Sequence, residues 1–346
     1  MNHILKQPLF TGTWGNNHIQ GIAVDRKKGY IYYSFTTKLV KATLEGELIG
    51  CVDGLLGHLG CISFNKEDGR VYGSLEYKND VIGKGILRNL GSEAKVEDAF
   101  YVAIFDVDRI VRMDMDAEKD GIMTAVYMSE VVKDYQGTGK NKAGQPVPHR
   151  YGCSGIDGLA FGPAFGLGAC NLLYVAYGIY SDLDREDNDH QVLLCYDVSD
   201  WEAFAQPINQ DNLHKRGPMA PLQKLFLHTG NTTYGVQNLE YDPYVNGFWM
   251  AVYPGKKPEY PNYALFLADA TKQPVRKELM GLDEIGYEIE LKPDMPGWRF
   301  KFGSTGLFAA GDGTYLISEE HVAQSGQCSY IHEYCYREGA PFVLKG

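Results

Sequence analysis

A short pattern that recurs five times constrains this chain most strongly. Each copy has a polar start, a small residue, a short apolar strand, a turn of Gly, Asp or Asn, and a second strand rich in β-branched and aromatic residues. The clearest copy reads HIQGIAVD at 18–25, turns at 26–29 and continues as YIYYSF at 30–35. The other copies begin at His58, Gly155, Gly235 and Gly303. Repeated strand–turn–strand units of this kind predict an all-β chain built from hairpins.

The recurrence also predicts the architecture. A hairpin pattern repeated at blade-like intervals is typical of a β-propeller. Five copies favour five blades of four antiparallel strands, in a single domain spanning 1–346. The gaps between successive starts are 40, 97, 80 and 68 residues, which leaves six or seven blades as an alternative. The segment 3–10 is predicted to add an edge strand to the last blade and so close the ring.

Charge and composition exclude some functions. The net charge is −11 and there is no long run of Lys and Arg, so a nucleic-acid partner is not expected. No apolar stretch reaches 18 residues, which predicts no membrane span. The N-terminus has no signal-like apolar run, and the seven cysteines form no Cys-x-x-Cys pair. These features predict a reduced, cytoplasmic protein that binds a small molecule or oligosaccharide; they do not predict its oligomeric state.

The repeats place the expected site at one end of the ring. In a propeller the first strand of each blade lies nearest the axis and begins at the face where the loops between second and third strands emerge. The longest insertions fall in those loops, at about 79–98, 181–190, 253–263 and 319–327. We therefore expect a ligand in a central funnel beneath these loops.

Aligned, the five copies yield two columns of polar residues at the funnel. Three positions before the small residue, two of the five residues are His18 and His58; one position before it stand Gln20, Gly60, Asp157, Gln237 and Thr305. We predict that His18, His58, Asp157 and Gln237 converge near the axis. There they would hold a divalent metal such as Zn, Mn or Ca, or orient a substrate. The alternative is that the histidines only form hydrogen bonds between adjacent blades.

Two carboxylates are the leading catalytic candidates. Glu76 and Glu319 occupy the same relative place, at the end of the second strand in blades two and five. Two carboxyl groups facing across a cleft, one protonated and one ionised, are what cleavage of a glycosidic bond requires. We predict them as the acid/base pair, with His18 and His58 as further catalytic candidates; the alternative is that both carboxylates are merely solvated.

Other residues near the funnel are candidates for substrate contact. Aromatic rings can stack on sugar faces, and a lysine can pair with an anionic group on a ligand. The predicted substrate-binding residues are Asp157, Gln237, Trp14, Tyr77, Lys78, Trp298 and Glu320. The acidic segment 181–190 is dense in oxygen ligands and could bind Ca²⁺, although it lacks the central Gly and terminal Glu of an EF-hand loop. A solvated loop is the alternative.

Some of these motifs are similar to those of known propeller families. The segments GIAVD at 21–25 and GYIYYS at 29–34 resemble the repeats of NHL and gluconolactonase-type (SMP-30-like) propellers. Gluconolactonase-type sites hold a metal through carboxylates and Asn, where this chain has His and Gln. The five-bladed arabinanase and invertase-type hydrolases place an Asp on the first inner strand, where this chain has His18 or Gln20. The set His18, His58 and Gln237 is similar to the metal site of oligogalacturonate lyase-like propellers.

These observations favour a carbohydrate-active enzyme, a glycoside hydrolase or a lyase, with its site in the funnel. Two alternatives stay open: a non-catalytic propeller that binds a ligand or a protein, and a metal-dependent sugar lactonase.

Overall fold

The chain folds into a five-bladed β-propeller. The computed structural model describes residues 3–15, 17–168, 170–324 and 326–346. The five inner strands contact one another in ring order, and the fifth returns to the first. Each inner strand falls on one of the five sequence repeats, so the blade count predicted from the recurrence is confirmed.

The first blade follows the predicted pattern closely. After an initial strand β1 (Leu9–Thr13), the antiparallel strands of blade one are β2 (Ile19–Asp25), β3 (Tyr30–Phe35), β4 (Lys38–Thr43) and β5 (Leu48–Asp53). The turn between β2 and β3 ends at Gly29, whose φ of 74° suits glycine.

Blade two contains a helix that the repeat pattern does not reveal. Its elements are β6 (His58–Asn65), β7 (Arg70–Tyr77), the helix α1 (Val81–Asn89), β8 (Ala99–Phe105) and β10 (Met123–Tyr127); a short strand β9 (Met115–Asp116) pairs with β5 of blade one. A second helix α2 (Ser129–Gln136) and a small hairpin of β11 (Thr138–Lys140) and β12 (Pro146–Pro148) lead to blade three.

Part of the chain that follows blade four adds strands to blade three. Blade three has β13 (Cys153–Gly162), β14 (Leu172–Ile179), β15 (His190–Tyr196) and β16 (Gln223–His228), and blade four has β17 (Thr232–Asp242), β18 (Gly247–Pro254) and β19 (Leu265–Asp269). The chain then leaves blade four, and the hairpin of β20 (Val275–Glu278) and β21 (Ile285–Glu288) extends blade three. Single bridges from Leu291 and Trp298 to β19 take the place of a fourth strand there.

Blade five is completed by the N-terminal strand. Its strands are β22 (Leu307–Ala309), β23 (Thr314–Ala323), β24 (Gly326–Arg337) and β25 (Ala340–Leu344). β1 pairs with β24, so an early segment joins the last blade and covers its edge. The predicted closing strand is therefore present, at 9–13 rather than 3–10. Among the described residues, no helix has the length and apolar character needed to cross a membrane.

The hydrophobic core is divided into five sectors, one between each pair of neighbouring blades. Small residues permit this close approach near the axis. A Cβ on Gly21 would lie 2.6 Å from the backbone nitrogen of Ile62 on the next blade. Asn238 connects neighbouring blades near the axis. Its amide nitrogen donates to the carbonyls of Gln20 and Ser304, and its oxygen accepts from the Leu307 N–H. One buried side chain thus links three inner segments.

Candidate functional site

The inner strands of blades one to four contain β-bulges at the position that lies one residue before the small residue of the repeat, which is the position of Gln20, Asp157 and Gln237. The strand pairing shifts register around Gln20 in β2, Gly60 in β6, Asp157 in β13 and Gln237 in β17. A bulge leaves a residue out of the regular alternation and re-aims its side chain. Because the bulges occur at equivalent places, Gln20, Asp157 and Gln237 all face the same space at the axis.

That space is a cavity of about 730 Å³ at the end of the ring where the inner strands begin. Its floor is polar and one side is formed by α1. The lining includes Gln20, Thr36, Thr37, His18, His58, Glu76, Lys78, Ser154, Asp157, Tyr234, Gln237 and Tyr253. The volume lies within the range of small-molecule binding sites.

A buried ion pair forms part of the floor. Lys78 Nζ contacts Glu76 Oε1, and their side chains are 5% and 3% exposed. Lys78 also donates to the Ser154 carbonyl at 2.9 Å, while Glu76 Oε2 accepts from the Ile156 N–H at 3.1 Å. Burial raises the pKa of Glu76, while Lys78 and the Ile156 N–H oppose that rise. The net pKa of Glu76 stays raised, but the ammonium of Lys78 and the Ile156 N–H each donate to one of its oxygens. From these contacts we assign Glu76 as ionised and Lys78 as its counter-ion.

The ammonium of Lys78 is correspondingly held in its charged form. Burial acts to lower the pKa of Lys78, but the carboxylates of Glu76 and Asp80 outweigh it and raise the pKa above its ordinary value. Lys78 therefore neutralises the floor and carries no spare charge into the cavity.

Asp157, unlike Glu76, is a protonated carboxyl group. Its Oδ2 accepts a hydrogen bond from Gln237 Nε2 at 2.9 Å, and its side chain is 14% exposed. Burial and then the charge of Glu76 raise the pKa of Asp157 to about 8. At neutral pH, Asp157 is therefore protonated and able to donate a proton.

His58 lies between the two carboxyl groups. Its Nδ1 is 3.6 Å from Asp157 Oδ1 and 3.8 Å from Glu76 Oε1, and no described residue gives that nitrogen a hydrogen bond. Burial, then the charge of Lys78, lowers the pKa of His58 to about 3. The ring is thus neutral at physiological pH and is a hydrogen-bonding group rather than a cation.

His18 is placed on the same cavity, nearer its rim. Its Nε2 is 3.1 Å from Gln20 Nε2, and its Nδ1 is 3.7 Å from Glu320 Oε1. Glu320 is not among the residues that line the cavity, and it contacts the site through His18.

Four other predicted site residues lie away from the cavity. Glu319 accepts from the Tyr334 hydroxyl at 2.6 Å within blade five. Tyr77 faces the opposite side of β7 from Glu76, because neighbouring strand residues alternate, and its hydroxyl donates to Gln210. Trp14 donates from its ring nitrogen to the Thr11 carbonyl, and Trp298 packs on Trp249. The structure therefore does not bring Glu76 and Glu319 together as the repeat alignment predicts.

The arrangement does not fit the metal expected at His18, His58, Asp157 and Gln237. In the part of the chain that the structure describes, no three His, Cys, Asp or Glu residues are grouped to hold an ion. The cation beside these carboxyl groups is the Lys78 ammonium, whose charge would oppose a divalent ion. Gln237 uses its amide nitrogen, a donor, toward Asp157. We assign no metal to this site.

The acidic segment at 181–190 is occupied by internal contacts as well. Asp187 pairs with Arg185 at 2.7 Å, and Asp189 pairs with the buried Lys257 at 2.5 Å. Two of the carboxylates that could bind Ca²⁺ are thus neutralised by cations of the chain itself.

The sequence prediction missed the helical side of the funnel. The segment 79–98 was expected to be a polar loop, but α1 occupies its first half. Asp80 caps the helix by accepting from the Gly83 N–H at 2.8 Å. The signal was present in the Asp80 cap and in apolar residues spaced four apart, Ile82, Ile86 and Leu90. Ser154 was missed because it contributes a backbone carbonyl, which no sequence pattern marks.

A second cavity, of about 410 Å³, lies at the other end of the inner strands. Burial raises the pKa of its Glu240 to about 8, and one oxygen of Glu240 accepts from the Ala309 N–H. Glu67 also lines this cavity, but among the described residues no hydrogen bond joins its side chain to Glu240. The funnel, where His58 lies within 4 Å of two carboxyl groups, is therefore the stronger candidate for catalysis.

Comparison with known proteins gives similarity only at the level of fold. No family model matches the chain, and no curated protein matches it. A family 43 β-1,3-galactosidase solved with galactodeoxynojirimycin is 11% identical, with a TM-score of 0.43 over 98% of both chains. The PQQ domain of pyranose dehydrogenase from Coprinopsis cinerea is 11% identical, with a TM-score of 0.40 over 90% of this chain and 81% of that one. The Dos1 propeller is 10% identical, with a TM-score of 0.31 over 90% and 77%. At these values, no residue role can be transferred from these structures to this chain.

Proposed function

We propose that the protein is a carbohydrate-active enzyme that hydrolyses a glycosidic bond in the funnel, with Asp157 as the proton donor. The observation that carries the proposal is the pairing of a protonated and an ionised carboxyl group on one cavity. Asp157 has its pKa raised to about 8, whereas Glu76 is held ionised by Lys78. Two carboxyl groups in these two states are the combination that glycoside hydrolysis uses.

The two groups have distinct roles in this proposal. Asp157 donates its proton to the glycosidic oxygen as the bond to the anomeric carbon breaks. Glu76, negatively charged and buried, stabilises the positive charge that develops on the sugar ring. Water then adds to the anomeric carbon and gives its proton to the Asp157 carboxylate, which restores the acid and completes the hydrolysis. Gln237 fixes the orientation of Asp157 through its hydrogen bond, and neutral His58 is a hydrogen-bonding group between the carboxyls.

The charge of the floor favours a neutral sugar. Within the described residues that line the cavity, the one cation is Lys78, and it is already paired with Glu76. A uronate carboxylate would find no free counter-ion there. The amide and hydroxyl groups of Gln20, Thr36 and Thr37 suit the hydroxyls of a neutral sugar.

A non-catalytic, ligand-binding propeller is the second candidate. It is favoured by the Glu76–Lys78 pair, because both carboxylate oxygens and the ammonium already have partners within the protein. In that case the pair is a structural part of the floor, and the funnel binds a sugar without cleaving it.

The test is a screen of purified protein against neutral and uronate-containing oligosaccharides. We expect release of reducing ends from a neutral substrate, without the ultraviolet absorbance that an elimination product would give. Because the acid must be protonated, kcat/KM should fall as the pH rises through about 8. Binding without turnover across the panel would support the second candidate, and turnover undiminished at pH 9 to 10 would exclude Asp157 as the acid.

A further inference from the structure

The funnel is lined in part by apolar residues that have no role in the proposed proton transfer. Val81, Ile82, Ile86 and Leu90 of the α1 segment line the cavity, and we call these four residues the α1 wall. Val81 is 87% exposed, Leu90 is 44% exposed and Ile82 is 37% exposed. A surface helix normally turns its apolar residues toward the core, so an exposed apolar group facing a cavity indicates a ligand contact.

The position of α1 is fixed by contacts at its N-terminal end. Asp80 caps the helix through Gly83, and its second oxygen accepts from the Tyr180 hydroxyl at 3.1 Å. A Cβ on Gly83 would lie 1.8 Å from the carbonyl oxygen of Lys78, so the helix lies directly on the backbone of the ion-pair lysine. The apolar wall and the charged floor are therefore parts of one fixed site.

Other residues that line the same cavity are polar. Thr36, Thr37 and Gln20 come from blade one, and Gln237 comes from blade four. A ligand that fills the cavity therefore contacts both hydroxyl or amide groups and apolar side chains. Open space remains beside the wall, because a Cβ on Gly85 would meet no atom within 4 Å.

We propose that the α1 wall binds the alkyl or aryl aglycone of a glycoside whose sugar lies on the polar floor. The sugar part of this inference rests on the proposed function. The apolar part rests on the wall alone, and the experiment separates the two.

The experiment compares methyl and hexyl β-D-glucopyranosides, the matching galactopyranosides, and 1-hexanol, by ligand-observed NMR below micelle-forming concentrations. We expect the hexyl glycosides to bind more tightly than the methyl ones, by about two- to fourfold for each methylene that the wall covers. The 1-hexanol should compete with them. Val81→Ser combined with Ile82→Ser should remove the advantage of the hexyl chain, and Gly85→Trp should remove it by filling the space.

Val111→Ser is the matched control, because Val111 is 67% exposed and lies outside the cavity. It should keep the full difference between hexyl and methyl ligands. Equal binding of hexyl and methyl glycosides would overturn the inference about the wall, even if sugars are hydrolysed. A hexyl preference that the wall variants remove would support it, even if no glycoside is turned over and the proposed hydrolysis fails. A hexyl preference that persists in both wall variants would place the apolar contact elsewhere and also overturn the inference.

Discussion

Replacing Asp157 by Asn is expected to lower kcat/KM by about 10²- to 10⁴-fold, the usual contribution of a positioned general acid. Asparagine keeps the size of the side chain and can still meet Gln237, but it has no proton to transfer. The measurement is the initial rate on the substrate that the screen identifies. Urea unfolding of the same preparation shows whether the variant remains folded.

Glu319→Gln is the control for this loss. Glu319 stands at the repeat position equivalent to Glu76, yet its carboxylate bonds to Tyr334 rather than facing the funnel. We expect it to retain turnover within a factor of about three, well short of a general-acid effect. Full activity in Asp157→Asn, or a greater loss in Glu319→Gln than in Asp157→Asn, would contradict the assignment of the acid.

Replacing Lys78 by Met is expected to lower the free energy of unfolding by about 3–5 kcal/mol, the cost of leaving one member of a buried ion pair alone. Among the described residues, the Ile156 N–H would then be the one hydrogen-bond donor left to the buried Glu76 carboxylate. Equilibrium urea unfolding at pH 7 measures the loss. The deficit should shrink as the pH falls, because protonating Glu76 removes the unpaired charge.

Two further variants distinguish the effect of breaking the ion pair from the effect of changing the lysine side chain itself. In the double variant Glu76→Gln with Lys78→Met no buried charge is left unpaired, so it should be more stable than Lys78→Met alone. Lys84→Met alters an exposed lysine of α1 and should change stability by less than about 0.5 kcal/mol. Equal destabilisation by Lys78→Met and Lys84→Met would show that the pair is not held as described.

The fold could be predicted from the sequence because each blade encodes its own hairpin. The turn before Tyr30 and the turn before Arg70 are local signals, and a glycine at position 21 is required where β2 packs closely against β6. The column of Gln20, Asp157 and Gln237 was also visible, since equivalent bulges put equivalent positions at the axis. These are properties of single segments or of their repetition.

The electrostatic arrangement of the site could not be obtained in that way. Glu76 and Glu319 are equivalent in the repeat, but their partners differ: a buried Lys78 for one and Tyr334 for the other. The protonation of Asp157 depends on burial and on the charge of Glu76, 81 positions earlier in the chain. Such contacts between blades follow from packing, and no local pattern specifies them.

The central claim is that Asp157 is protonated in the funnel at neutral pH while Glu76 is not. The most direct measurement is a pH titration of the side-chain carboxyl ¹³C resonances of the protein, with Asp157 assigned by the signal missing in Asp157→Asn. We expect the Asp157 resonance to titrate with a midpoint near 8. A midpoint near 4, the value of an ordinary solvated aspartate, would contradict the account.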